Sequence, residues 1–196
     1  MRSRNIYFLI GTLCILVAAF IFVKNTFEDY KVNQTTQSIT EQLIQDKDDP
    51  SNEKGRYLKN PKMEMPVKEI DGHEYIGYVK IKRLGLKLPI MSSWSYEKIK
   101  ISPARYQGSV YEDNMVLLAH NYHAHFGKLY QMEIGDEIVF YDMDDNEFIF
   151  KIKDKEEIRG DKLDELLSGE WDLTLFTCTL SGEFRTVIRC DLVDEL

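Results

Sequence analysis

The chain has 196 residues, with 33 Asp and Glu against 25 Lys and Arg, for a net charge of −8. That balance does not suggest the clustered basic face that polyanion binding needs, so no nucleic-acid partner is expected. Three cysteines are too few for a disulfide framework, and the length suits one globular domain with its flanking segments.

Residues 6–23 form an uncharged, almost wholly apolar run, preceded by Arg2 and Arg4 and followed by Lys24. About 18 to 20 apolar residues at 1.5 Å rise cross a bilayer core. The rival is a cleaved signal peptide, whose apolar region spans only roughly 7 to 15 residues and ends at a small-x-small site. Ala18-Ala19-Phe20-Ile21 offers no convincing site of that kind, which favours an uncleaved anchor over residues 1–24. The arginines hold the amino end in the cytoplasm, so the bulk of the chain should lie outside. Residues 25–62 are polar and charged, with Gln34-Thr35-Thr36-Gln37-Ser38 and Asp46-Lys47-Asp48-Asp49-Pro50-Ser51 as the clearest stretches. Such a composition reads as an extracellular linker with no core of its own and a helical piece at most around 38–45. Residues 63–196 remain as the folded domain.

Within that domain strand follows strand. Residues 75–81 (YIGYVKI) alternate and carry β-branched and aromatic side chains, and 86–91 is a second short run with Pro89 near its end. Residues 114–119 carry the unbroken apolar run Met115, Val116, Leu117 and Leu118, as a strand buried on both faces would. Residues 137–141 and 147–153 alternate on either side of Asp142-Met143-Asp144-Asp145-Asn146, a hairpin turn. Residues 173–178 and 185–192 make a final pair across a loop softened by Ser181-Gly182. Helix is confined to short pieces such as 94–99 and 162–167. Many short strands, turns every 8 to 12 residues or so and almost no long amphipathic helix point to a closed or nearly closed β-barrel.

Two strand ends carry chemistry. Thr174-Leu175-Phe176-Thr177-Cys178 delivers a thiol at its last residue, with Arg185 seven positions on. A thiol with a nearby guanidinium suits nucleophilic acyl transfer. Ala119-His120-Asn121-Tyr122-His123-Ala124-His125 holds three of the four histidines, and only His120 follows directly from the buried strand. His120 would then exchange protons with the thiol and the leaving amine, and Arg185 would donate hydrogen bonds to an oxyanion or to substrate carbonyls. Cys14 sits in the apolar run as a small apolar group. If Arg185 faces Cys178, strand alternation turns Cys190 away, so no disulfide joins Cys178 to Cys190.

These residues resemble a known family. TLFTC with its arginine, Ala-His-Asn at 119–121 with Phe126 and Leu129 following, the opening IGYVKI through Leu88-Pro89-Ile90, and Gly135-Asp136 before a strand together look like a sortase. The similarity covers roughly residues 75–192. The resemblance implies a mainly β fold, a closed eight-stranded barrel with short helices, preceded by one transmembrane helix. It implies a membrane-anchored cysteine transpeptidase of mainly Gram-positive bacteria, which cleaves an LPxTG-type signal between Thr and Gly and holds the protein as a thioester on Cys178. The acyl group would pass to an amine of a cell-wall precursor or of a pilin-like subunit. The expected catalytic residues are His120, Cys178 and Arg185, with Ala104, Asn121 and Thr177 at the substrate and neither metal nor cofactor.

Two positions depart from the family pattern: Ala119 stands where glycine usually precedes the histidine, and Cys190 where glycine often follows the second basic residue. Only about ten residues, 160–170, occupy the place of the long helix of B-type sortases. The pilus-building type typically adds a carboxy-terminal membrane segment and an Asp-Pro-aromatic lid; here the sequence stops at Leu196 and Asp49-Pro50 precedes Ser51. An A-, D- or E-like enzyme is therefore expected. The bland readings are a buried core thiol at Cys178, ordinary solvated or hydrogen-bonded loop histidines at His123 and His125, and an outward charged strand face at Arg185 and Arg189. A competing hypothesis is a non-enzymatic extracellular module, with zinc held by His120, His123 and His125 and Cys178 as a fourth ligand. The acidic turn lacks the glycine and distal glutamate of an EF-hand and is expected to be solvated.

Overall fold

The strand beginning at Glu137 buries Ile138, Phe140 and Asp142 and turns the residues between them outward, and the same alternation runs around the molecule. The computed structural model describes residues 2–45 and 54–193. Its strands are β1 (Lys68–Ile70), β2 (His73–Ile81), β3 (Leu86–Met91), β4 (Ala104–Gln107), β5 (Met115–Leu118), β6 (Glu137–Asp142), β7 (Glu147–Arg159), β8 (Leu173–Cys178) and β9 (Phe184–Leu192). They pair in the order β1-β2-β3-β4-β5-β8-β9-β7-β6, and β6 pairs back onto β2. Strands β2 to β9 thus close an eight-stranded barrel, with β1 a short hairpin partner outside the ring. Closure gives each of the eight a neighbour on both sides, although β3 and β4 meet only through the single pair Met91 and Ala104. Every described pairing around the ring is antiparallel except β3 with β4 and β5 with β8.

The barrel is filled by one apolar cluster that includes Ile76, Leu117, Phe126, Phe140, Phe150 and Ile188. Strand β5 is buried on both faces, as its unbroken apolar run requires: Met115 and Leu117 enter that core, while Val116 and Leu118 join a second cluster on the outer wall. Among the described residues, two helices lie outside the barrel, α1 (Arg2–Gln45) and α2 (Leu163–Leu166), with several single 3-10 turns.

Helix α1 overturns the expected linker. It runs without a break from the apolar segment into the polar stretch. Its amino-terminal part exposes Phe8, Leu16 and Phe22 and is long and apolar enough to cross a membrane. Its carboxy-terminal part buries Thr36, Ile39, Thr40 and Leu43, the two apolar members packing with Tyr75, Met91 and Ala104 on the outer wall. Burying Ile39 and Leu43 is worth about 2 kcal/mol each. Thr40 donates both to Thr36 O (2.7 Å) and to Lys87 O on β3 (3.4 Å). Asp49-Pro50, which Ser51 rather than an aromatic follows, lies outside the described residues.

The acidic turn between β6 and β7 is also not solvated. Asp142, Asp144 and Asn146 are buried. One carboxylate oxygen of Asp142 accepts from the backbone N–H of Asp144 (2.9 Å) and of Asn146 (2.8 Å); the other accepts from Tyr111 Oη (2.6 Å) and Asn146 Nδ2 (2.7 Å). Arg56 Nη2 lies 3.1 Å from Asp144 Oδ2, and Gly55 N–H donates to Asn146 Oδ1 at 2.7 Å. The carboxylates therefore fasten the segment entering the barrel, where Tyr57 stacks on Tyr111 at 4.8 Å. The helical piece expected at 94–99 is replaced by a 3-10 turn at Lys98–Lys100, and Trp94 stacks on Tyr106.

Candidate active site

The candidate residues converge through strand register. Strands β5 and β8 run parallel with Leu118 opposite Phe176, so the second residue beyond each, His120 and Cys178, emerges at the same end of the barrel. Parity places both on the face that carries Leu118 and Phe176, the outer wall. Strands β8 and β9 are antiparallel with Cys178 directly opposite Arg185, which sets the guanidinium on that face too. Thr177 points the other way: it is buried, and its hydroxyl donates to Ala119 O at 2.9 Å. That bond ties the cysteine strand to the residue before His120.

Cys178 is half-buried and lines two cavities. One is a groove of about 430 Å³ along the outer wall, floored by Leu118 and Phe176 and walled by Trp94, Tyr106, Leu163 and Leu166. His120 and Arg185 border this groove. The other, about 410 Å³, is lined by Asn121, Tyr130, Ser181 and Thr186 among others. Its rim includes Leu180, which is almost wholly exposed in the β8–β9 loop.

The His120 ring packs against Tyr122 with centroids 4.3 Å apart. Its Nδ1 accepts from the Asn121 backbone N–H at 2.8 Å, so a neutral ring held this way carries its proton on Nε2. The loop that presents it is tightly wound. Tyr122 O accepts from His125 N–H and from Gly127 N–H, both at 2.9 Å, and a Cβ on Gly127 would lie 2.3 Å from Asn121 O. Only glycine fits that approach. Phe126 and Leu129, the apolar residues of the sequence motif, anchor the loop in the core.

Arg185 is held by its own loop. Its Nη1 donates to Gly182 O (3.0 Å) and Phe184 O (3.1 Å), whereas Nε and Nη2 have no protein acceptor among the described residues. The guanidinium lies over Gly160, where an added Cβ would come within 2.9 Å of Nη1 and 3.1 Å of Cζ. Three N–H donors thus remain for a bound ligand. Gly160 was not singled out in the sequence, and no local motif marks it.

Several expected residues sit elsewhere. Ala104 is fully buried under Ile39, Leu43 and Met91 and lines neither cavity, because α1 covers its face of β4. Asn121 lines the second cavity and places Nδ2 3.5 Å from Thr179 O. The three loop imidazoles diverge. His123 is exposed and pairs with Asp29, whereas His125, expected as an ordinary loop residue, is sealed in the interior with Nε2 3.3 Å from Thr36 Oγ1. Burial, with the His120 ring nearby, pushes His125 down to about 4. Among the described residues no group of three or more potential ligands is placed to hold a metal. Cys190 lies in the core opposite Leu173, on the inner face as alternation requires, and burial pushes its thiol up.

The family model for the sortase domain matches residues 79–193, more than half of the chain. The chain belongs to the sortase family. It is accordingly a cysteine transpeptidase. Comparison with curated protein sequences gave no match. Among solved structures, a sortase D5 transpeptidase from Clostridium perfringens aligns with TM-score 0.64 and 17% identity, covering 82% of this chain and 99% of its own. Sortase C1 from Streptococcus suis aligns with TM-score 0.54 and 23% identity, over 63% of this chain and 75% of its own. Sortase C from Clostridium perfringens, solved with the C-terminal cell wall sorting motif, gives 0.55 and 21%, over 85% and 95%. These likenesses establish the sortase barrel, and they include both D and C types.

Proposed function

We propose that this sortase cleaves an LPxTG-type sorting signal through a thioester on Cys178 and passes the acyl group to an amine of the cell wall or of another protein subunit. The observation that carries the reading is the convergence of ring, thiol and guanidinium on one groove at the barrel rim, with the thiol also lining a second cavity. The apolar groove suits the peptide donor, and the cavity on the other side of Cys178 gives the incoming amine a separate approach. That a related sortase C was solved with a sorting motif supports the substrate class.

The chemistry follows from the side chains. The Cys178 sulfur attacks the carbonyl carbon after its proton passes to His120, and the oxyanion is met by the free donors of Arg185. The ring accepts that proton at Nδ1, which requires the Asn121 N–H contact to open, since Nε2 already carries a hydrogen. Collapse of the tetrahedral intermediate breaks the C–N bond, and the imidazolium protonates the departing amine. The acceptor amine then attacks the thioester carbonyl, His120 takes its proton, and the thiol is returned. No metal or cofactor enters these steps. The amino end of α1 lies in the cytoplasm and the barrel outside, because Arg2 and Arg4 precede the apolar run.

Incubation of the full chain with a panel of sorting peptides, read by mass spectrometry, tests this. Wild type should gain the mass of the acyl fragment. Cys178→Ala should gain none while keeping its circular dichroism spectrum. No adduct on folded wild type with any peptide, or an adduct that survives Cys178→Ala, would overturn the proposal.

A further inference from the structure

Helix α1 touches the loop that presents His120 at two places two helical turns apart. Asp29 accepts from the His123 backbone N–H at 3.1 Å through Oδ1, and its Oδ2 lies 3.4 Å from His123 Nδ1. Thr36, buried, places Oγ1 3.3 Å from Nε2 of the sealed His125. From His125 the contacts continue toward the rim: its ring meets Tyr122 edge-on with centroids 5.7 Å apart, and Tyr122 packs on His120 at 4.3 Å. A continuous line of packed groups therefore runs from Thr36 to the ring proposed as the proton carrier.

The same helix is fixed at both ends of this contact. Asp29, Val32, Asn33, Thr36, Ile39, Thr40 and Leu43 are its inward residues, a stripe at helical spacing that lies against the barrel. Ile39 and Leu43 lock its far end to the outer wall. At the near end, Asp29 follows the apolar run by six residues, about 9 Å of helix rise. The loop is thus clasped where the chain leaves the proposed membrane segment.

We propose that α1 is a positioning element as well as an anchor, with Asp29 and Thr36 as the residues that hold the loop 120–127 and, through Tyr122, the orientation of His120. This rests on the enzymatic reading above. Neither residue touches the groove, so their effect is exerted on the ring and not on substrate binding. His125 holds the inner end of the contact and His123 the outer end, which gives these two histidines a role that is neither catalytic nor metal-binding.

The test uses the full chain in detergent micelles or nanodiscs, with Asp29→Ala, Thr36→Val, the pair together, and Thr36→Ser. Two readouts are taken: the single-turnover rate of adduct formation on Cys178 across peptide concentrations, and amide hydrogen exchange. The double variant should lose roughly 3- to 10-fold in maximal rate with half-saturation unchanged within about twofold, as expected of a misplaced group. Exchange at 120–127 should quicken while β2 and β6 keep wild-type protection, and Thr36→Ser should retain both wild-type values. Unchanged exchange at 120–127 in the double variant, or an increase spread evenly through the barrel, would overturn the proposal. Should wild type form no adduct at all, the enzymatic reading fails separately, and the exchange data still judge the contact.

Discussion

Gly160 decides where the Arg185 guanidinium can sit. A methyl at this position would lie 2.9 Å from Nη1 and 3.1 Å from Cζ and Nη2, closer than carbon and nitrogen tolerate. Gly160 does not sit in the left-handed region, so alanine brings no backbone strain; the residue also keeps its N–H bond to Glu183 O at 2.8 Å. The clash is therefore relieved by the arginine, the flexible partner, and the Nη1 bonds to Gly182 O and Phe184 O are the contacts given up. Displacement of a charged donor by even part of an ångström from a developing oxyanion costs about 10- to 100-fold in rate, or roughly 1.4 to 2.7 kcal/mol. Gly160→Ala should accordingly slow single-turnover acylation of Cys178 by that factor, with the thermal midpoint moved by no more than about 4 °C, since only one exposed and one half-buried bond of order 1 kcal/mol are lost. In an Arg185→Ala background the same substitution should change the rate by less than about twofold, because the group it displaces is already gone. A wild-type rate for Gly160→Ala, or an equal loss in both backgrounds, would refute the argument.

Three further outcomes follow from buried groups. His125 is held down at about 4 in the folded chain against 6.5 when free, so the unfolded chain binds its proton first. Its contribution is complete above about pH 6.5 and is lost as pH falls toward 4, a change of roughly 3 kcal/mol; thermal unfolding from pH 7 to 4 should show a shallower slope for His125→Gln than for wild type. Arg189, buried, donates to Leu166 O (2.6 Å), Glu165 O (3.1 Å) and Glu156 Oε1 (2.9 Å), stapling α2 to the barrel. Arg189→Met should lower urea stability by about 2 to 4 kcal/mol and raise the peptide concentration for half-maximal acylation, because α2 forms one wall of the groove. Cys190→Ser places a hydroxyl in the core and should cost about 1 to 3 kcal/mol while leaving the acylation rate unchanged; in the native wild type, iodoacetamide should label Cys178 and spare Cys190.

Strands β3 and β8 were legible residue for residue, since one is a short, mostly apolar run with Pro89 near its end and the other ends on the thiol. Strands β1 and β4, three and four residues long, are too short to show a period. The second half of β7 was hidden because Lys153-Asp154-Lys155-Glu156-Glu157 faces solvent beyond a bulge near Ile152 and Asp154. The docked half of α1 was hidden differently. Its inward stripe has helical spacing, but Asp29, Asn33, Thr36 and Thr40 fill half of it, so composition reports a polar linker where geometry makes a contact face. Polar residues can serve there because their partners are polar too: His123, His125 and Lys87 O.

The candidate site was legible as three side chains but not as an arrangement. Sequence spacing relates Cys178 to Arg185 through a hairpin, yet nothing local states that residue 120 stands beside residue 178. That adjacency comes from the parallel register of β5 and β8, which Thr177 fastens at the site end through Ala119 O. Strands β8 and β9 divide their labour by parity: Leu175, Ile188 and Cys190 fill the core, while Phe176, Cys178 and Arg185 face outward onto the groove. A slip of one residue in β8 would exchange these sets, burying the thiol and exposing Leu175, at the cost of every core contact the strand makes. The hydrophobic pattern that holds the barrel closed is thus also what keeps Cys178 at its rim.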